Sequence, residues 1–89
     1  MKILKVYDTM SRAKFEAEKY YKECLDNGMD VRNVRCRTPY RFYRFEVGEN
    51  VYTFVSRQAE LMGMRFDRID DCTTWGILPD RIRMCVKEG

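Results

Sequence analysis

At 89 residues, with 45% hydrophobic, 13% aromatic and 35% charged side chains, the chain has the size of one domain near the lower limit of what a single core can stabilise, and its aromatic content excludes a disordered polymer. No apolar run approaches the roughly 20 residues that a membrane span needs, and only five residues separate Lys2 from Asp8, too few for the apolar core of a signal peptide, so a single cytoplasmic domain over residues 1–89 is expected. The net charge of +3 is too mild to indicate nucleic acid by itself.

In chain order, Lys2 to Tyr7 predicts a first strand, with Ile3, Leu4 and Val6 as its apolar residues. Asp8, Thr9 and Ser11 follow as candidate caps for a helix from about Ser11 to Asp26. Met10, Ala13, Ala17, Tyr20, Tyr21 and Cys24 recur at steps of three and four and form its buried stripe. Asn27-Gly28 ends the helix, glycine being suited to the left-handed position beyond it. Phe15 points away from the stripe, among Lys19, Lys22 and Asp26. It is a lone exposed ring, one covered by the chain ends, or a contact for a protein partner together with Lys19 and Lys22.

Asp30 to Arg37 reads as a second strand, with Val34 and Cys36 on one face and Arg35 and Arg37 on the other. Thr38-Pro39 turns the chain into a third strand, Tyr40 to Val47, in which Phe42 is the one apolar residue on the arginine side. A Gly48-Glu49-Asn50 hairpin leads to Val51–Val55, which is apolar on both faces and is expected at the centre of a sheet. Arg57 to Met62 predicts a short helix, Gly63 releases it, and Phe66 to Ile69 predicts a short strand. Thr73 to Pro79 is a loop, and the alternating run from Arg81 to Lys87 reads as a last strand, with Ile82 and Met84 facing away from Arg81, Arg83 and Cys85.

This order predicts an α/β (α+β) fold. A single small mixed sheet of about five to six strands is covered on one face mainly by the long helix, with one short helix besides. The crossover through the long helix should be right-handed if its strands are parallel.

The four cysteines, Cys24, Cys36, Cys72 and Cys85, lie at apolar or strand positions with no C-x-x-C spacing, as expected of reduced structural thiols without a metal. Asp67, Asp70 and Asp71 form an acidic cluster of the kind that holds magnesium, but such sites usually share the ion with a substrate phosphate, and a solvated strand end beside Arg65 and Arg68 is the preferred reading. The chain has no histidine, and no cysteine has a visible activating base. No catalytic residue, metal or cofactor is therefore expected.

The positive signal is the segment from Val31 to Phe45, which holds five arginines and no acid. Subtracting those five from the 17 basic residues leaves 12 against 14 acids, so the basic excess is local. Arg32, Arg35, Arg37, Arg41 and Arg44 are interleaved with Tyr40 and Phe42. Arginines neutralise phosphates and exposed rings stack on unpaired bases. A solvated sheet face with cross-strand pairs to Glu46 or Glu49 is the plainer alternative, and an acidic protein surface would suit the same charges.

Phe45–Val47, Gly48, Val51–Val55, Ser56, Leu61-Met62-Gly63 and Arg65-Phe66-Asp67, preceded by the strand and helix from Leu4 to Cys24, form a further pattern. It resembles part of the ATPase domain of phage terminase large subunits and related P-loop helicase-like proteins, over about two thirds of the chain. The resemblance implies their scaffold. It does not carry their catalysis, because no G-x-x-x-x-G-K-[ST] loop exists and the acids Asp70-Asp71 arrive after only Arg68-Ile69, where four apolar residues should precede them. The expected function is a small non-catalytic binding module, of phage or mobile-element type, presenting the arginine face to nucleic acid or to a nucleic-acid-processing protein. The alternatives are a phage-encoded inhibitor or adaptor that blocks a host or defence protein, and a degenerate nucleotide-binding protein.

Overall fold

The computed structural model describes residues 1–37, 42–59, 61, 64–74, 76 and 78–85. The elements are β1 (Lys2–Tyr7), α1 (Met10–Asp26), β2 (Val31–Arg37), β3 (Phe42–Val47), β4 (Asn50–Ser56), β5 (Arg68–Asp71) and α2 (Asp80–Arg83). The strands form one five-stranded sheet in the order β2-β3-β4-β1-β5. β1 runs parallel to β4 and β5, whereas β2, β3 and β4 pair antiparallel, so the sheet is mixed and the doubly apolar β4 stands at its centre. The fold is α+β, as the sequence pattern implies.

Of the three candidate caps, Thr9 is the one used. It holds an extended backbone and its hydroxyl accepts from the Arg12 amide at 3.2 Å. At the other end Gly28, at φ 70°, lets its own amide reach Leu25 O and that of Met29 reach Cys24 O, which satisfies carbonyls the helix leaves open. The expected stripe is the buried one. Ala13, Ala17 and Cys24 are buried, and Met10, Tyr20 and Tyr21 pack beside them on Tyr7, Phe45, Val47 and Phe54 of the sheet. The small residues Ala13 and Ala17 let the helix approach closely, and the rings fill the remaining space. Phe54 stacks 5.5 Å from Phe45 and 6.2 Å from Tyr7.

The β3–β4 hairpin closes Val47 on Asn50 around Gly48-Glu49, and Gly48 takes a φ of 59°. A two-residue loop needs such a backbone to match strand twist, and glycine adopts it without a Cβ penalty. The opposite face of the sheet carries a second core. Leu4, Val6 and Val55 meet Ala59, Leu61, Phe66, Leu78, Ile82 and Cys85 there, with Phe42, Met64 and Ile69 at its margin. The sheet thus carries a core on each face, the second covering only part of its face, and β4 is apolar on both sides because it meets both.

Three expectations need correction. The run Arg81–Lys87 was expected as a strand, yet Asp80–Arg83 is a helical turn and residues 86–89 lie outside the described set. Alternation put Ile82 and Cys85 on opposite faces, but both are buried and Met84 is 70% exposed. Three-residue spacing makes Ile82 and Cys85 neighbours on a helical turn, and Pro79 with Asp80 starts that turn. The short helix expected at Arg57–Met62 is not formed where described, since Arg57 and Gln58 make a turn and residues 60, 62 and 63 lie outside that set. The fifth strand begins at Arg68 rather than Phe66. Asp67 docks first on the start of β1, its carboxylate accepting from the Lys2 amide at 2.7 Å, and the ladder with β1 starts one residue later.

Among the described residues, no helix is long and apolar enough to cross a membrane.

Candidate anion-binding face

The arginine segment is placed by a bulge. Arg32 pairs with Glu46 and Arg35 with Arg44, so the three steps on β2 oppose two on β3, and Asn33 takes a left-handed φ of 54°. Asparagine tolerates that region better than most side chains, and one extra residue shifts the alternation of every later position. Arg32 and Arg35, three apart, would otherwise lie on opposite faces. With the bulge, both occupy the sheet face away from α1. Val34, expected to share the face of Cys36, is displaced into the bulge and is 54% exposed.

Register arranges this face in rows. One runs Arg32, Glu46, Val51, Lys2, and the next runs Arg35, Arg44, Thr53, Leu4, Ile69. The second row therefore changes from cationic at the β2 edge to apolar at β1, where the second core covers it, whereas the first ends on the exposed Lys2. Arg35 and Arg44 stand directly opposite each other, a placement that brings Cβ atoms to roughly 5 Å and is unfavourable for like charges. Among the described residues neither forms an ion pair. Arg32 is paired with Asp30 at 3.3 Å. Glu46, on the same face, accepts a hydrogen bond from the Asn33 side chain. The cross-strand carboxylate thus holds the bulge while the Arg35–Arg44 pair stays open.

Inward of Arg44 lies a pocket of about 320 Å³ lined by Lys2, Arg44, Val51, Thr53, Met64, Arg65 and Phe66. Its floor is formed by buried residues, Thr53 at 1% and Phe66 at 3% exposure. The Arg65 guanidinium donates to Met84 O at 2.6 Å, which ties the pocket rim to the end of α2. Sequence reasoning missed Lys2 and Arg65 as members of this site. The alternation of Lys2 with Leu4 and Val6 would have put Lys2 on the right face, but nothing in the sequence signalled Arg65.

The remaining candidates separate. Arg37 stands opposite Phe42 in the ladder. Phe42 is on the arginine side as expected, but it is half-buried against the second core rather than a free stacking ring. Tyr40 and Arg41 lie outside the described residues, as does the Thr38-Pro39 turn. Phe15 is 56% exposed on the outer side of α1, with the Arg12 guanidinium 5.5 Å from its ring centre. Lys19 and Lys22 are exposed as well.

The acidic cluster is dispersed by its bonding. Asp70 pairs with Lys5 and Arg68, Asp71 accepts from the Thr73 amide and hydroxyl, and Asp67 serves the Lys2 amide. Asp8 accepts from both the amide and the hydroxyl of Thr74, and the hydroxyl bond in particular holds its pKa below the ordinary carboxylate value. Burial raises the pKa of Tyr7 and of Tyr20, reinforced by Cys72 and Tyr52 respectively, so both rings stay neutral inside the α1 layer. Cys24 and Cys85 are buried and Cys72 is half-buried. No family model, curated protein or solved structure matches this chain.

Proposed function

We propose that the protein is a small non-catalytic binding module whose β2–β3 face takes nucleic acid, in a cytoplasmic setting. The observation that carries this reading is the Arg35–Arg44 pair, two arginines directly opposite each other in the ladder with no carboxylate partner among the described residues. Such a pair opposes folding, and a polyanion converts it into a gain by neutralising both charges. Lys2 adds a cation at the far end of the neighbouring row, in which Arg32 is already paired with Asp30. The reading is independent of the terminase-like pattern in the sequence. It is also independent of Phe42, whose ring is engaged in the core.

The test is fluorescence anisotropy with single- and double-stranded oligonucleotides at low salt. Affinity should fall with salt at a log-log slope of roughly −3 to −4 for about four phosphate contacts, and Arg35→Glu with Arg44→Glu should remove binding while the circular dichroism spectrum is kept. No binding to either form at low salt overturns the nucleic-acid reading. A second reading, an inhibitor or adaptor that docks on a protein, is favoured by exposed Phe15, and it requires Phe15→Ala, Lys19→Ala or Lys22→Ala to abolish capture of a partner.

A further inference from the structure

The geometry points to the pocket bounded by Lys2, Arg44 and Arg65 as a receptor for a terminal phosphomonoester, the phosphorylated end of a nucleic-acid strand lying across the arginine row. This rests on the nucleic-acid reading and adds to it where the strand stops. Three cationic residues from three separate places in the chain line one pocket, and no carboxylate is among its lining residues within the described set. Asp67 and Glu46 stand outside that lining, with Asp67 bound to the Lys2 amide and Glu46 to Asn33. A backbone phosphodiester carries a single charge, whereas a phosphomonoester at neutral pH carries about −1.5 to −2, a better match to a pocket with three cationic residues in its lining. The buried floor at Thr53 and Phe66 keeps water away on one side and strengthens charge–charge attraction there.

The surroundings favour an end over a continuing chain. A strand that enters at the free edge of β2 passes Arg32 and Arg35, reaches Arg44, and then meets the second core, where Phe66 is bonded to Cys85 O and Ile82 is fully buried. Beyond the pocket, along the row that ends at Leu4, the face is occupied by the second core. A volume of about 320 Å³ falls at the small end of ligand sites, suited to a phosphate with its sugar. Arg65 is held by Met84 O through one of its donors, and the guanidinium has others to offer.

The test compares short single-stranded oligonucleotides of one sequence bearing a 5′-phosphate, a 3′-phosphate or hydroxyls at both ends, with inorganic phosphate titrated separately by NMR against the whole chain. One phosphorylated end should bind about tenfold more tightly than the hydroxyl-ended strand, the gain of an added charge-assisted contact, and which end does so identifies the polarity. Lys2→Gln and Arg65→Gln should each bring phosphorylated and hydroxyl-ended strands to equal affinity, whatever either does to the affinity they share. Inorganic phosphate should shift the amide signals of Lys2, Thr53 and Arg65. Equal affinity for all three ends, with no phosphate-induced shifts, overturns the pocket while leaving the arginine face standing. Phosphate shifts confined to these residues without oligonucleotide binding keep the pocket as a phosphomonoester site and remove nucleic acid as its source. Should Arg65→Gln unfold the chain through loss of the Met84 bond, Lys2→Gln decides alone.

Discussion

The two faces of the sheet are built on different principles. The α1 side is a layer of rings, with Tyr7, Tyr20, Tyr21, Phe45, Tyr52 and Phe54 packed around Ala13 and Ala17 of one regular helix. The other side has an aliphatic patch roofed by short irregular pieces, and beyond it the cationic rows of β2 and β3. One face is thus committed wholly to stability, and the other divides its area between a second core and a charged surface. A domain of this size has little apolar area to spare. Leaving half a sheet face open and placing like charges across it is the kind of stability cost that binding sites carry.

The largest expected effect tests the first face. Phe54→Ala removes a ring that is 1% exposed and stacked on both Tyr7 and Phe45. It should cost about 3–5 kcal/mol and leave little cooperative transition in urea. A loss under about 1 kcal/mol would show that the aromatic layer is not the main core. The second face is probed by Ile82→Ala, expected to cost about 2–4 kcal/mol because the side chain is fully buried against the sheet. If urea midpoints barely move, the α2 segment is a loose flap and the faces are more unequal than described.

The cationic half should respond with the opposite sign. Replacing Arg35 by threonine removes a like-charge cross-strand pair and supplies a strand-favouring residue, so stability should rise by about 0.5 kcal/mol while oligonucleotide affinity drops. A fall in stability would mean that Arg35 is a structural part of the edge, where charge also guards a free strand against pairing with other chains.

The smallest effect concerns the seam between β1 and the loop after β5. Asp8 has its pKa lowered chiefly by the Thr74 hydroxyl. Its folded value lies below its unfolded one, so its contribution is fully present above the ordinary carboxylate range and is lost as pH falls through the folded pKa. The wild-type chain should therefore lose slightly more stability than Thr74→Val between neutral pH and acid, read as a difference in urea midpoints. Parallel midpoints across that interval would show that the Asp8–Thr74 contact adds nothing.

Much of the α1 face could be read from the chain. The stripe from Met10 to Cys24, a cap among Asp8, Thr9 and Ser11, the Gly28 stop, the Gly48 hairpin and the central place of β4 all follow from local periodicity and turn chemistry. The opposite face could not be read in this way. In the run Arg81–Lys87, alternation fits a strand, and only the packing of Ile82 and Cys85 against Leu4, Val6 and Val55 selects a helical turn. Phe42 looks like an exposed ring until the second core reaches it.

For the candidate site, the sequence by itself determined that five arginines sit together without acids. Only the tertiary structure decided which of them share a face, because a single extra residue at Asn33 changes the parity of the strand. Lys2 and Arg65 join Arg44 only in the folded chain. They lie at distant points of the sequence, and what brings them together is the parallel pairing of β1 with β4 and the docking of Phe66 beneath the C-terminal turn. Periodicity is a local property and sets elements. Register and docking are long-range and set which charges meet.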